Sequence, residues 1–149
     1  MQFDMNNSLG FILNKTALLS KAHFNLCIKE YGISPEQWSL VFRVVERSGL
    51  TQKELSESTY KDQANITRSI DRLEQKGLLK RVDNLQDRRS FQLLPTPKSL
   101  KLVEQIVPIS RAYNAYLTQG FSEEEATTLI RLLKKMYLNL EGEISNVNQ

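Results

Sequence analysis

Asp87-Arg88-Arg89 places two adjacent guanidinium groups in a polar loop between the apolar stretches Leu78-Leu79-Lys80-Arg81-Val82 and Phe91-Gln92-Leu93-Leu94. Permanently charged, planar and rich in donors, such groups suit a core badly. They suit phosphate oxygens or a narrow minor groove well. Asp87 is spaced to pair with one of them and orient it. Upstream lies a second polar set: Gln63, Ala64, Asn65, Thr67, Arg68 and Arg72. Its chemistry is that of base reading. Gln and Asn match the adenine edge, Arg matches the guanine edge, and an Ala methyl can meet a thymine methyl.

Charge is distributed to match. The 149 residues carry a net +3, yet seven basic and two acidic residues between Lys76 and Lys101 give that stretch +5 and leave −2 for the rest. A basic stripe on a near-neutral chain marks a local polyanion site. Other chemistries lack their parts. With one cysteine, Cys27, and one histidine, His23, neither an intramolecular disulfide nor a Cys/His zinc site can be built. The six glycines are scattered, and no Gly-rich phosphate loop is present. No metal, cofactor or enzyme activity is expected.

The elements that must position these residues announce themselves by helix starts. Ser34-Pro35-Glu36-Gln37 is a capping box with proline at the first helical position, stapled by Ile33 and Trp38. Thr51-Gln52-Lys53-Glu54 and Ser122-Glu123-Glu124-Glu125 are two more boxes, and Thr96-Pro97 marks a fourth start. Between them the apolar spacing is helical. The first helix is expected over about 7–31, with Leu9, Ile12, Leu13, Leu19, Phe24, Cys27 and Ile28 inward. The helix from Gln63 buries Ile66, Ile70 and Leu73 and stops at Gly77. That leaves Arg68 at the centre of its outer face, with Ala64, Asn65, Arg72 and Gln75 around it. A hairpin follows, roughly 79–82 with 90–94. A helix from Pro97 meets Pro108, which should kink or break it, and a last helix carries Ala126 to Leu140.

A helix followed by a basic hairpin is the order of a winged helix that binds duplex DNA. The expected fold is mainly α with a small β-hairpin wing: a winged helix-turn-helix over about 34–95. It is flanked by dimerisation helices over about 7–31 and 97–145, within a single domain 1–149. These long apolar helices have little to cover them except each other and a second copy.

The pieces together resemble the MarR family of bacterial winged-helix regulators, over nearly the whole chain. Asp87-Arg88-Arg89 with Leu93-Leu94-Pro95-Thr96 resembles the family's wing signature. Asn65 to Leu79 resembles its recognition helix running into the first wing strand. Ser34-Pro35-Glu36-Gln37-Trp38 and Leu50-Thr51-Gln52-Lys53-Glu54-Leu55 resemble its second helix and its helix-turn-helix entry. The resemblance implies a homodimer on a pseudopalindromic DNA operator, more often a repressor. Residues Gln63 to Arg68 would face the major groove, Arg88 and Arg89 would sit on the wing, and Asp62 would tie the wing to the helix through Arg89. Ser34, Thr51 and Gln52 stand at helix starts where phosphates are met. Three positions depart from the family pattern: Pro95 before Thr96, Ser99 where Gly is common, and Pro108.

Many members of the family answer to small phenolic or lipophilic anions. His23, Phe24, Trp38 and Phe42 are candidates to line such a pocket, against the plainer reading that they pack the core. Cys27, four residues after His23, falls on the apolar stripe and reads as a buried, inert thiol. Gly10 occupies about the place where the family's peroxide sensors carry their cysteine. The N-terminus lacks a signal peptide's pattern and no apolar run is long enough for a membrane span. A cytoplasmic protein with no membrane partner is therefore expected. The competing function is a winged-helix protein-interaction module without DNA binding.

Overall fold

The computed structural model of the chain describes residues 3–59 and 63–147. The order of elements is α1 (Leu9–Ile28), α2 (Pro35–Glu46), β1 (Leu50–Thr51), α3 (Gln52–Glu57), α4 (Gln63–Gln75), β2 (Leu79–Asp83), β3 (Phe91–Pro95), α5 (Pro97–Leu117) and α6 (Glu123–Val147). Short 3-10 turns flank α1 at Met5–Asn7 and Lys29–Tyr31.

Helices begin where a side chain can satisfy amides that lack a partner within the helix. At the start of α2, Ser34 Oγ accepts from the Gln37 amide and Gln37 Oε1 accepts from the Ser34 amide, both at 3.2 Å. Thr51 Oγ1 accepts from the Glu54 amide at 3.2 Å to start α3. Ser122 and Glu125 close the same reciprocal box on α6, at 2.9 and 3.0 Å. At α5 the partner is Ser99: its hydroxyl accepts from the Thr96 amide at 2.8 Å while Thr96 Oγ1 accepts from the Ser99 amide at 3.1 Å. Ser99 is fully buried there, so the departure from glycine supplies a cap.

The sheet is antiparallel with order β1-β3-β2. Leu93 is opposite both Leu50 and Arg81, and Leu79 is opposite Pro95. β1 is an addition to the expected hairpin. It is seated by the Gly49 amide donating to the Leu93 carbonyl at 2.9 Å.

Ile28, Leu40, Val41, Leu55, Ile70, Leu73, Leu79, Leu93 and Ile106 are buried almost completely and form one core with Trp38, Ile66 and Leu102. Phe42, Ile109 and Tyr113 pack against that core. Packing on both sides of Pro108, by Ile106 and Ile109, explains why α5 runs through it without a break: tertiary contacts outweigh one missing backbone donor.

Contacts group the chain into two compact units, Met1–Tyr113 and Asn114–Gln149. On α1, Phe24 and Ile28 are buried as expected, but Leu9, Ile12 and Leu19 are exposed, Leu19 at 72%. On α6, Leu129, Leu133, Tyr137, Leu140 and Ile144 are exposed too. No helix among the described residues is long and apolar enough to cross a membrane.

Candidate nucleic-acid interface

Burial of Ile66, Ile70 and Leu73 fixes the rotation of α4. Ala64, Asn65, Thr67, Arg68 and Arg72 are left exposed on its outer side, as their spacing required. Side-chain hydrogen bonds hold that side in order. Gln52 Nε2 donates to Thr67 Oγ1 at 2.6 Å, joining the start of α3 to α4. The Arg68 guanidinium donates to Asn65 Oδ1. Backbone geometry places Gln63 as the first residue of α4. Ser34 and Thr51 spend their hydroxyls on helix amides and stand at the starts of α2 and α3, as expected.

α4 ends at Gly77, whose φ of 71° is left-handed, a conformation open to glycine at little cost. Gly77 donates to the Glu74 carbonyl at 2.9 Å and Leu78 to the Leu73 carbonyl at 2.9 Å. This closes the helix and turns the chain directly into β2.

The wing loop between β2 and β3 is folded by its own polar side chains. Asn84 Oδ1 accepts from the Gln86 amide at 3.1 Å and Asn84 Nδ2 donates to Ser90 Oγ at 3.0 Å. Asp87 Oδ1 accepts from the Arg89 amide at 3.0 Å. The Arg89 guanidinium lies 3.8 Å from Asp87 Oδ1, with its side chain 96% exposed. Arg88 is exposed and has no polar partner among the described residues. The expected tie between Asp62 and Arg89 cannot be followed, because Asp62 lies outside the described residues. The described partner of Arg89 is Asp87.

Sequence reasoning missed Arg81, which it counted only as part of the basic stretch. Its guanidinium is held by two carboxylates of α4, Asp71 at 2.5 Å and Glu74 at 3.0 Å. The signal available in the sequence was the spacing of Asp71 and Glu74, three apart on one helix flank. The strand residue opposite them depends on the fold. A cleft of about 470 Å³ separates the start of α3 from the wing, lined by Thr51, Gln52, Lys53, Arg81 and Arg89 among others.

A model of the MarR family matches residues 33–91, which run from the cap of α2 to the start of β3 and hold every residue of this surface. Over those residues the chain is similar to the MarR family. It is 26% identical over 142 residues to the uncharacterized HTH-type transcriptional regulator YybA of Bacillus subtilis, covering 93% of this chain and 89% of that one. Among solved structures it is similar to a MarR protein of Peptoclostridium difficile, with TM-score 0.85, 27% identity, and 99% and 98% of the two chains covered. It is also similar to a MarR variant of E. coli complexed with operator DNA, with TM-score 0.80, 25% identity, and 86% and 92% covered. MarR proteins are transcriptional regulators and not enzymes, and the chain is a DNA-binding regulator rather than a protein-interaction module.

A separate cavity can be compared with the aromatic residues named above. This cavity, of about 680 Å³, lies within the first unit. It is lined by Ala17, Ser20, Lys21 and Phe24 of α1, by Pro35, Glu36 and Leu40 of α2, by Asn65, Ile66 and Ser69 of α4, and by Tyr113 of α5. Of the four aromatic candidates only Phe24 lines it. His23 stacks on Tyr113 with ring centroids 5.6 Å apart. Trp38 and Phe42 do not line the cavity: they pack against each other at 5.5 Å on the core side of α2, because burial of Val41 turns that flank inward.

Lys21 forms an ion pair with Glu36 at the cavity. Burial raises the Glu36 carboxyl. The Lys21 ammonium, the backbone amide of Glu36 and the Ser34 hydroxyl together outweigh burial and hold it below the ordinary carboxylate value. Cys27 is half-buried rather than sealed in the core, with Sγ 3.8 Å from His23 Nδ1.

Proposed function

We propose that the protein works as a homodimeric repressor on a pseudopalindromic operator in the cytoplasm. Each protomer would seat α4 in the major groove and lay Arg88 and Arg89 in the adjacent minor groove. The observation that carries this is the ordered polar outer side of α4, reached within a few residues by a wing whose tip holds two exposed arginines. Asn65, Thr67, Arg68 and Arg72 read base edges, with Gln63 and Ala64 at the entering end, while Ser34, Thr51 and Gln52 meet phosphates from two other helix starts. In a dimer the two recognition helices stand about 34 Å apart, so the half-sites are one helical turn apart. The test is the duplex upstream of its own gene, bound over a range of salt. Arg88→Ala with Arg89→Ala should weaken binding and reduce the slope of log K against log salt by about 0.9 for each phosphate no longer neutralised. Unchanged affinity and slope would remove the wing from the site.

The cavity beside α4 supports a small aromatic anion as effector. Phe24, Tyr113, Leu40 and Ile66 offer apolar walls, and Lys21 offers a cation to a carboxylate that would displace Glu36. Because Asn65, Ile66 and Ser69 belong to α4, an occupant touches the reading helix directly and can favour release. Salicylate and related hydroxybenzoates should raise the melting temperature of the wild type and not of Lys21→Ala. Equal shifts in both would place the ligand elsewhere.

A further inference from the structure

Arg81 lies on β2, four residues beyond the Gly77 turn, and makes three bonds to one helix. Its guanidinium donates to Asp71 Oδ1 at 2.5 Å and to Glu74 Oε1 at 3.0 Å, and its backbone amide donates to Glu74 Oε2 at 3.1 Å. The side chain is 21% exposed, against 96% for Arg89 further along the same hairpin. A planar fork held by two carboxylates fixes direction as well as distance. Both of its terminal nitrogens are bonded to the helix.

We infer that Arg81 is the positioning residue that sets the angle of the wing to the recognition helix. It acts through the wing arginines and is not itself a DNA contact; this rests on the DNA-binding reading above. Below Arg81 the hairpin is anchored by buried Leu79, and Leu93 directly opposite Arg81 is buried, whereas above it Asp83 and Phe91 are exposed. Arg81 therefore ties β2 to α4 near the outer end of the strand. The wing loop begins three residues beyond it, about 10 Å of strand, so a small tilt at Arg81 moves the tip arginines off their groove. The single positive charge of Arg81 also offsets one of the two negative charges of Asp71 and Glu74.

The experiment uses the full chain and a duplex that the wild type enriches from a random pool. Arg81→Gln should weaken binding about tenfold, the coupling expected of directly bonded groups. In an Arg88→Ala/Arg89→Ala background the same change should cost less than about twofold. Equal losses in both backgrounds would make Arg81 a direct contact and overturn the inference. Asp71→Asn with Glu74→Gln removes two negative charges near DNA yet should weaken binding as Arg81→Gln does; tighter or unchanged binding overturns it. Arg81→Lys keeps the charge without the fork and should fail to restore affinity; full restoration by Lys would reduce the residue to its charge. Hydrogen exchange without DNA keeps the test open whatever duplex is found. Arg81→Gln should lose protection in Leu79–Asp83 and Phe91–Pro95 and keep it in Pro35–Glu46, and unchanged protection in both strands contradicts the assignment.

Discussion

Arg68 and Glu36 show how much single residues can be asked to do. Arg68 occupies the centre of the outer side of α4 and is steadied by Asn65. If it reads a base, Arg68→Ala should cost about 1–3 kcal/mol on the preferred base and much less on a substituted one. A competition assay with single-base variants measures this, and an equal loss on every duplex would assign Arg68 to a phosphate. Glu36 carries a pH prediction. Its folded-state value is depressed, so its ionised form favours the folded state above the ordinary carboxylate range. That contribution is lost as pH falls through the depressed value. Glu36 and Lys21 are both more than a third exposed, so solvent screening keeps the effect under about 1 kcal/mol. The melting temperature of Glu36→Gln should lie slightly below that of the wild type at pH 7, and the two curves should meet in acid. A gap of constant size down to pH 3 would mean that the pair is not what the substitution disturbs.

At the scale of elements, the join between α4 and β2 is the tightest constraint on the site. Gly77 holds a left-handed φ of 71° with no heavy atom crowding its missing Cβ closely, so an alanine there meets backbone strain and little else. Gly77→Ala should destabilise the fold by about 1–2 kcal/mol. Urea titration would check this, and an unchanged midpoint would mean that the turn relaxes. The turn was legible in the sequence because its causes are local: a glycine after a run of helical spacing. So were the capping boxes, whose partners lie three residues apart. β1 was not, because a two-residue strand is defined by its pairing with β3, and that partner lies more than forty residues away. Arg81 was invisible for the same reason. Pro108 does not break α5: its local rule is sound, but packing by Ile106 and Ile109 on either side keeps the helix continuous. Trp38 and Phe42 pack at the core, the plainer of the two readings their sequence allowed, and which flank of α2 turns inward is decided by where the core lies.

For the whole molecule the decisive quantity is apolar surface without cover. Leu133, Tyr137, Leu140 and Ile144 recur at intervals of four, three and four along α6, one stripe of a helix, and all are exposed in the single chain. On α1, Leu9, Ile12 and Leu19 are exposed as well. Each leucine fully buried in an interface gains about 1.5–3 kcal/mol, so covering the α6 stripe alone outweighs much of the cost of bringing two chains together. The proposed second copy of the chain would be a cover that also explains a reading helix needing a partner one turn away. Sedimentation should therefore give twice the 17.2 kDa of one chain. Leu133→Asp with Leu140→Asp should yield a folded monomer, because neither side chain contributes to the buried core. That monomer should bind a single half-site weakly and lose the cooperative step on the full operator. If it instead keeps wild-type operator affinity, the stripe serves another purpose and each chain reads DNA alone.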